Sequence, residues 1–256
     1  MQISRVAKIS LKGKYAHFRK FYTNSSSLSY SIPPRTVICG IFASILKIPR
    51  DQYYDIFSET NSKIAIKSNR KTKKKMFSMN YLHLDYFKQI TKGKDKIRSM
   101  HSQCKLELLM PDDLNNLEFT IYLALDNQER FNELVSKIDK SNFGYGIYLG
   151  QRQFKANVNI VEIINEDKIE FLTENDFIDT AVLKEDMINL NVDEKYNNIE
   201  YIEEHIPVFF EGYCTNGNYS RKIIGIRKIV YERTGKRISG KFKNCYKVNG
   251  EYIYFI

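Results

Sequence analysis

The chain has 256 residues, 43% of them hydrophobic and 27% charged, with 40 basic against 30 acidic side chains and a formal net charge of +10. That length carries one large domain or a domain with an appendage, while the absence of any apolar run near the roughly 20 residues that span a bilayer predicts a chain without membrane spans. Counted along the sequence, net charge is +17 over residues 1–105, −14 over 106–206 and +7 over 207–256, so the basic end suits a polyanion and the acidic middle is expected to face elsewhere or meet a protein partner.

The start, Met1-Gln2-Ile3-Ser4-Arg5, leads into alternation rather than a signal-peptide core, and a cytoplasmic location is expected. Residues 2–11 read as a first strand. The loop Lys12-Gly13-Lys14-Tyr15-Ala16-His17-Phe18-Arg19-Lys20-Phe21-Tyr22 packs cations with rings before a serine run, and a loop of that length points to function. Pro34 suits the first turn of a helix, where its missing N–H costs nothing, and Val37, Ile38, Ile41 and Ile45 recur at helical spacing. Arg35 and Thr36 stand at the amide end of that helix, an anion-binding position. Gly40 is expected to let the helix approach a sheet.

A second short helix is expected over 50–57, with Tyr53, Ile56 and Phe57 in the core. A strand follows at 63–67. Residues 68–105 carry Lys73, Lys74, Lys75, Lys94, Lys96 and Arg98 on strands with no cleanly apolar side, and read as an extended basic protrusion that reaches along a nucleic acid. Leu117 to Leu125 is a further strand, and Asp126 with Glu129 forms a capping-box pattern for a helix whose apolar stripe is Phe131, Leu134, Val135 and Ile138. A glycine-rich turn, Gly144 to Gly150, opens a strand running to about Ile164. The order is the β-α-β-β-α-β ferredoxin-like plan shared by RNA-recognition modules, an α+β fold over 1–165. Residues 166–256, with the hairpin turn Asn249-Gly250, read as a smaller β-rich region. Four scattered cysteines suggest buried thiols in a reducing compartment; no metal-ligand spacing, phosphate loop or nucleophile elbow appears, so no metal or cofactor is expected.

Three ordered segments carry a family resemblance: Tyr15-Ala16-His17-Phe18-Arg19; Tyr30-Ser31-Ile32-Pro33-Pro34-Arg35-Thr36 with Gly40-Ile41-Phe42-Ala43; and Tyr148-Leu149-Gly150-Gln151-Arg152-Gln153-Phe154. The chain resembles CRISPR-associated protein five, the repeat-associated (RAMP) subunit that caps the crRNA 5′ end in type I Cascade complexes. Its ending and length are most like the type I-B branch. The resemblance implies a ferredoxin-like domain with a projecting β-thumb, here 68–105, holding the hooked 5′ handle. Backbone and large subunits would dock around it, and target DNA would be met only through the complex. Carried over by position, Arg19, Pro34, Arg35, Thr36, Gly150 and Arg152 match motif residues, with the three arginines expected to contact phosphate or base. Lys14, Tyr15 and the six protrusion cations join them on chemical grounds alone.

Two other readings compete. One branch of the family cleaves precursor RNA with a loop tyrosine and an adjacent Lys-His pair. Here Tyr15 and His17 would be the pair to test, but His17, His83, His101 and His205 have no lysine immediately before them, so catalysis is not expected. A basic interaction protein that contacts acidic membrane or protein surfaces without RNA is the other, and no strongly amphipathic basic helix supports it.

Overall fold

A computed structural model describes residues 1–23, 27–82, 101–191 and 199–256. Four long strands form one antiparallel sheet: β1 (Arg5–Gly13), β4 (Ser62–Ser68), β7 (Leu117–Leu125) and β8 (Ala156–Asn165), in the order β4-β7-β1-β8. Between β1 and β4 lie the short pair β2 (Phe18–Arg19) and β3 (Ser29–Tyr30) and then helix α1 (Arg35–Ile45); helix α2 (Gln128–Asp139) follows β7. Alternation along β1 sends Ala7, Ile9 and Leu11 into the core with Ile38, Phe42 and Ile45 of α1 and Phe131, Leu134 and Ile138 of α2. Lys8, Ser10 and Lys12 point to the other face.

Local signals are displaced by a residue or so. Pro34 is the N-cap of α1 rather than its first turn, and its carbonyl accepts from Val37 and Ile38 N–H. Gly40 faces the Tyr53 hydroxyl, not a sheet. Residues 50–57 form turns instead of the expected helix, because Asp51 takes a positive φ of 62° that no helix accommodates; Tyr53 and Phe57 are nonetheless buried. Asn127, not Asp126, caps α2, accepting from Arg130 N–H at 3.0 Å. Two cysteines, Cys39 and Cys245, are buried as expected, whereas Cys104 and Cys214 are exposed.

Between β4 and β7 the chain leaves the sheet as a hairpin, β5 (Thr72–Leu82) with β6 (His101–Pro111), paired from Thr72–Pro111 out to Leu82–His101. Beyond β8 come β9 (Ile169–Ile178), β10 (Val182–Leu183), β11 (Met187–Leu190), the long ribbon β12 (Tyr201–Thr215) and β13 (Asn218–Glu232), then β14 (Ile238–Val248) and β15 (Glu251–Ile253). They make two small antiparallel sheets, β10-β13-β12 and β11-β14-β15 with β9 also on β14. Their inner residues Val208, Ile229 and Phe242, together with Ile256 beyond β15, join the same core cluster as Ile9 and Ile38. A second cluster sets Val248, Ile253 and Phe255 against Val6, Ala65 and Tyr122. Residue 165 thus marks a change of sheet within a continuous apolar interior. Among the described residues no helix is long and apolar enough to cross a membrane.

Candidate nucleic-acid interface

The aromatic-basic loop after β1 is held open by the hairpin. Ala16 and Leu109 exchange backbone bonds, both 2.9 Å, and Glu107 N–H donates to Ser27 O at 2.8 Å, so β6 docks on Ala16 and Ser27. The glycine turn closes the other side. Gly150 has φ +87°, and a Cβ there would lie 1.9 Å from the His17 carbonyl oxygen, while His17 N–H donates to Leu149 O at 3.1 Å; only glycine permits that approach. From the same turn the Gln153 amide reaches the Tyr81 hydroxyl of β5 at 3.5 Å. Three segments far apart in sequence therefore share one edge of the molecule.

That edge presents cations with rings. Lys14 lies 5.7 Å from the half-buried Tyr15 ring, and Lys75 5.7 Å from the exposed Phe77 ring, both within cation–π range. Arg19 is exposed and donates to Thr23 O at 3.1 Å, which holds its side chain against its own loop. Phe21 and Tyr22 pack edge to face at 5.1 Å yet remain 41% and 54% exposed. Arg152 is exposed on the glycine turn, and Lys73 is exposed at the hairpin base near Asp112. Solvent-facing rings offer stacking faces and the cations offer phosphate contacts.

A model of the family described as CRISPR-associated protein (Cas_Cas5) matches residues 7–221. The chain belongs to this Cas5 family. No curated protein gives a significant match. Among solved structures, a CRISPR protein from Archaeoglobus fulgidus is 15% identical with TM-score 0.50, 98% of each chain being covered. A chain of a CRISPR RNA-guided surveillance complex is 12% identical with TM-score 0.52, covering 89% of this chain and 90% of that one. At such identities the likeness is one of fold.

In this Cas5 chain the Pro34-Arg35-Thr36 motif lies inside, contrary to the expectation that it faces a polyanion. Arg35 is 1% exposed. Its guanidinium donates to Ser62 Oγ at 2.7 Å, Ile256 O at 2.8 Å, Phe57 O at 2.9 Å and Val208 O at 3.3 Å, and covers the Phe209 ring at 4.3 Å. Burial pulls its pKa down, with Cys39 and Glu59 opposing. Pro34 and Thr36 are buried too, the Thr36 hydroxyl 3.5 Å from Pro207 O. The motif clasps α1 to the C-terminal strands.

Lys74 is likewise turned inward. Strand alternation places it opposite Lys73 and Lys75, and its ammonium donates to Ser29 O at 2.6 Å with Glu204 at 3.5 Å. Burial lowers its pKa against the pull of Glu204 and Glu107. His17 is 1% exposed; Nδ1 meets Glu107 O and Nε2 meets Ser27 Oγ, each at 2.8 Å, and burial lowers its pKa. Lys94, Lys96 and Arg98 lie outside the described residues.

The acidic middle is not simply an outward face. Glu204 bonds Lys20 at 2.8 Å, the Tyr231 hydroxyl at 2.7 Å and Ser31 N–H at 3.3 Å, and Glu200 binds Lys71 and Arg233. For Glu204, burial favours the neutral acid, but Lys74, Lys20 and Tyr231 outweigh it and hold its pKa below the ordinary value. Sequence reasoning missed Glu204 as the joint between loop, hairpin and β13. The sole hint was apolar neighbours on its strand face, Ile202 and Ile206.

Proposed function

We infer that this Cas5-family chain is a non-catalytic RNA-binding subunit of a type I CRISPR surveillance complex, nearest the I-B branch, that caps the crRNA 5′ handle in the cytoplasm. The observation that carries this is the convergence of Lys14, Tyr15, Arg19, Gly150, Arg152, Lys73 and Lys75 on one edge although they come from three separate segments. The strand order β4-β7-β1-β8 with α1 and α2 on one face supports a ferredoxin-like core, and the basic β5–β6 hairpin supports a thumb. Membership of a surveillance complex is supported by the fold shared with the chain of such a complex; its backbone and large subunits are the proposed protein partners, and target DNA is met through them.

The absence of catalysis is supported by the state of His17. A general base must reach the 2′-hydroxyl proton it removes, and this imidazole is enclosed with both nitrogens engaged. The test is binding of labelled repeat RNA with a free 5′ handle, titrated over about 50–200 mM salt without metal, with strand integrity read in the same tube. Salt-sensitive binding to intact RNA is expected, with the log–log salt slope reduced by roughly 2 in the Lys73→Ala/Lys75→Ala double variant. Cut RNA would replace this reading with that of a processing nuclease. An unchanged slope would remove the hairpin from the interface.

A further inference from the structure

The C-terminal ribbon leaves one strand edge open. β12 and β13 pair from Tyr201–Glu232 out to Thr215–Asn218, and the turn Asn216-Gly217 has φ of +51° and +78°, which asparagine and glycine tolerate. The base of the ribbon is built into the core through Val208, Ile229 and Val230. Farther out it rests on the turn after α1: the Tyr54 and Phe210 rings are 5.8 Å apart, and Arg221 covers Phe210 at 5.0 Å while lying 3.5 Å from Asp51. On the outer edge of β13, β10 pairs only Val182 with Val230 and Leu183 with Ile229, after which Lys184–Asp186 turns aside. From Asn218 to Lys228 no described residue pairs its backbone with that edge. Such a row of N–H and C=O groups is a template for another strand.

The side chains of β13 say what kind of strand. Ile224 is 57% and Ile226 42% exposed. The register steps from Ile223–Phe210 to Gly225–Phe209, so Ile224 is left out of the pairing with β12, and a bulge of this kind re-aims a side chain. Adjacent aliphatic groups held in water along an open edge mark a contact surface, and a nucleic acid would leave the isoleucines uncovered. Between Asn218 and Val230 the strand carries Arg221, Lys222, Arg227 and Lys228 and no acidic residue. Arg221, Arg227 and Lys228 lie near Asp51, Glu185 and Glu203 of other segments, whereas Lys222 forms no ion pair with a described residue; all four stay exposed. A second copy is a poor occupant. Antiparallel pairing of two such edges centred on Ile224 sets Arg221 against Arg227 of the other copy, and pairing centred on Gly225 sets Lys222 against Lys228. A strand with acidic and aliphatic side chains meets no such conflict.

We propose that the outer edge of β13, residues 218–226, takes up an extended segment of a different protein, rich in acidic and aliphatic residues, as an added antiparallel strand in line with β10. The inference rests on the reading of the chain as a subunit of a protein assembly, and not on handle binding. A fluorescein-labelled peptide of about ten residues alternating Glu and Val, the length of an ordinary strand, is titrated into the full chain and followed by anisotropy, with amide hydrogen exchange read on the same samples. Saturable binding with slowed exchange within 218–226 is expected, and none with the alternating Lys and Val peptide. Methylating alternate amide nitrogens of the Glu-Val peptide keeps its side chains, removes its donors and abolishes binding. Lys222→Glu/Ile224→Asp weakens the complex at least about tenfold, by turning attraction into repulsion and removing apolar cover. Both side chains are exposed, so the Tm of that variant stays at the parent value and the loss is not one of folding. No saturable binding, equal binding of the two peptides, binding of the methylated peptide or an unaffected double variant overturns the proposal. So does repeat RNA that slows exchange across 218–226, which would assign the edge to nucleic acid. The titration contains no RNA, and Lys73→Ala/Lys75→Ala keeps this edge, so failure here and failure of the handle reading are seen separately.

Discussion

Replacing Arg35 by lysine keeps the charge and removes the fork, and it separates a structural clasp from a phosphate contact. The guanidinium serves four acceptors at 2.7–3.3 Å: Ser62 Oγ and the carbonyls of Ile256, Phe57 and Val208. An ammonium radiating from one nitrogen reaches about two of them, leaving roughly two buried acceptors stranded at about 1–3 kcal/mol each. With the lost stacking on Phe209 the expected destabilisation is about 3–5 kcal/mol, a large share of the roughly 5–15 kcal/mol that holds a domain together. Urea unfolding followed by circular dichroism will show the midpoint fall with the slope m unchanged. Affinity of the folded fraction for repeat RNA will stay within about threefold, since no phosphate contact is lost. An unchanged urea midpoint together with a tenfold weaker, less salt-dependent RNA complex would refute this reasoning and return Arg35 to the interface.

Gly150→Ala places a Cβ against the His17 carbonyl at a φ of +87°; a loss of at least about 2 kcal/mol and weaker RNA binding are expected from urea and anisotropy titrations. His17 has its pKa lowered by burial. Its neutral form therefore supports the fold fully above the unfolded value of about 6.5, and that support declines as pH falls below it. Urea midpoints at pH 7.5 and 5.5 will differ less in His17→Gln than in the parent. Glu204, with its pKa depressed, contributes stability above about 4.3 that is lost as pH falls through its folded value. Glu204→Gln will cost about 2–3 kcal/mol, discounted because Lys20 and Lys74 retain some solvent, and hydrogen exchange will quicken at residues 72–76, 20–23 and 27–30.

Most of the scaffold was legible because its periods are clean. Phe119, Ile121 and Leu123 alternate on β7, and Phe131, Leu134 and Ile138 recur on α2, so strand and helix order followed directly. The convergence of the loop, the hairpin and the glycine turn rested on the resemblance, since no local pattern says that Gly150 meets His17. Arg35 was misread because an arginine in a basic stretch looks solvated, and its carbonyl partners carry no side-chain signature. Lys74 was recoverable in principle: three successive lysines on a strand cannot share a face. The acidic middle was assigned outward because charge counts ignore pairing across the fold, as between Lys20 and Glu204.

The Arg35 clasp also dictates when folding can finish. Its bond to Ile256 spans 221 residues, which at about 5–20 residues per second separates the two partners by roughly 10–45 s during synthesis. Throughout that interval a nascent helix α1 carries a cation that lacks its Ile256 carbonyl partner, and for most of it the Val208 carbonyl as well. The apolar residues that Val208, Phe242 and Ile256 will cover remain open alongside it. This chain therefore closes its interior late, only once its last strands have been made, and its vulnerability to aggregation is concentrated in that wait.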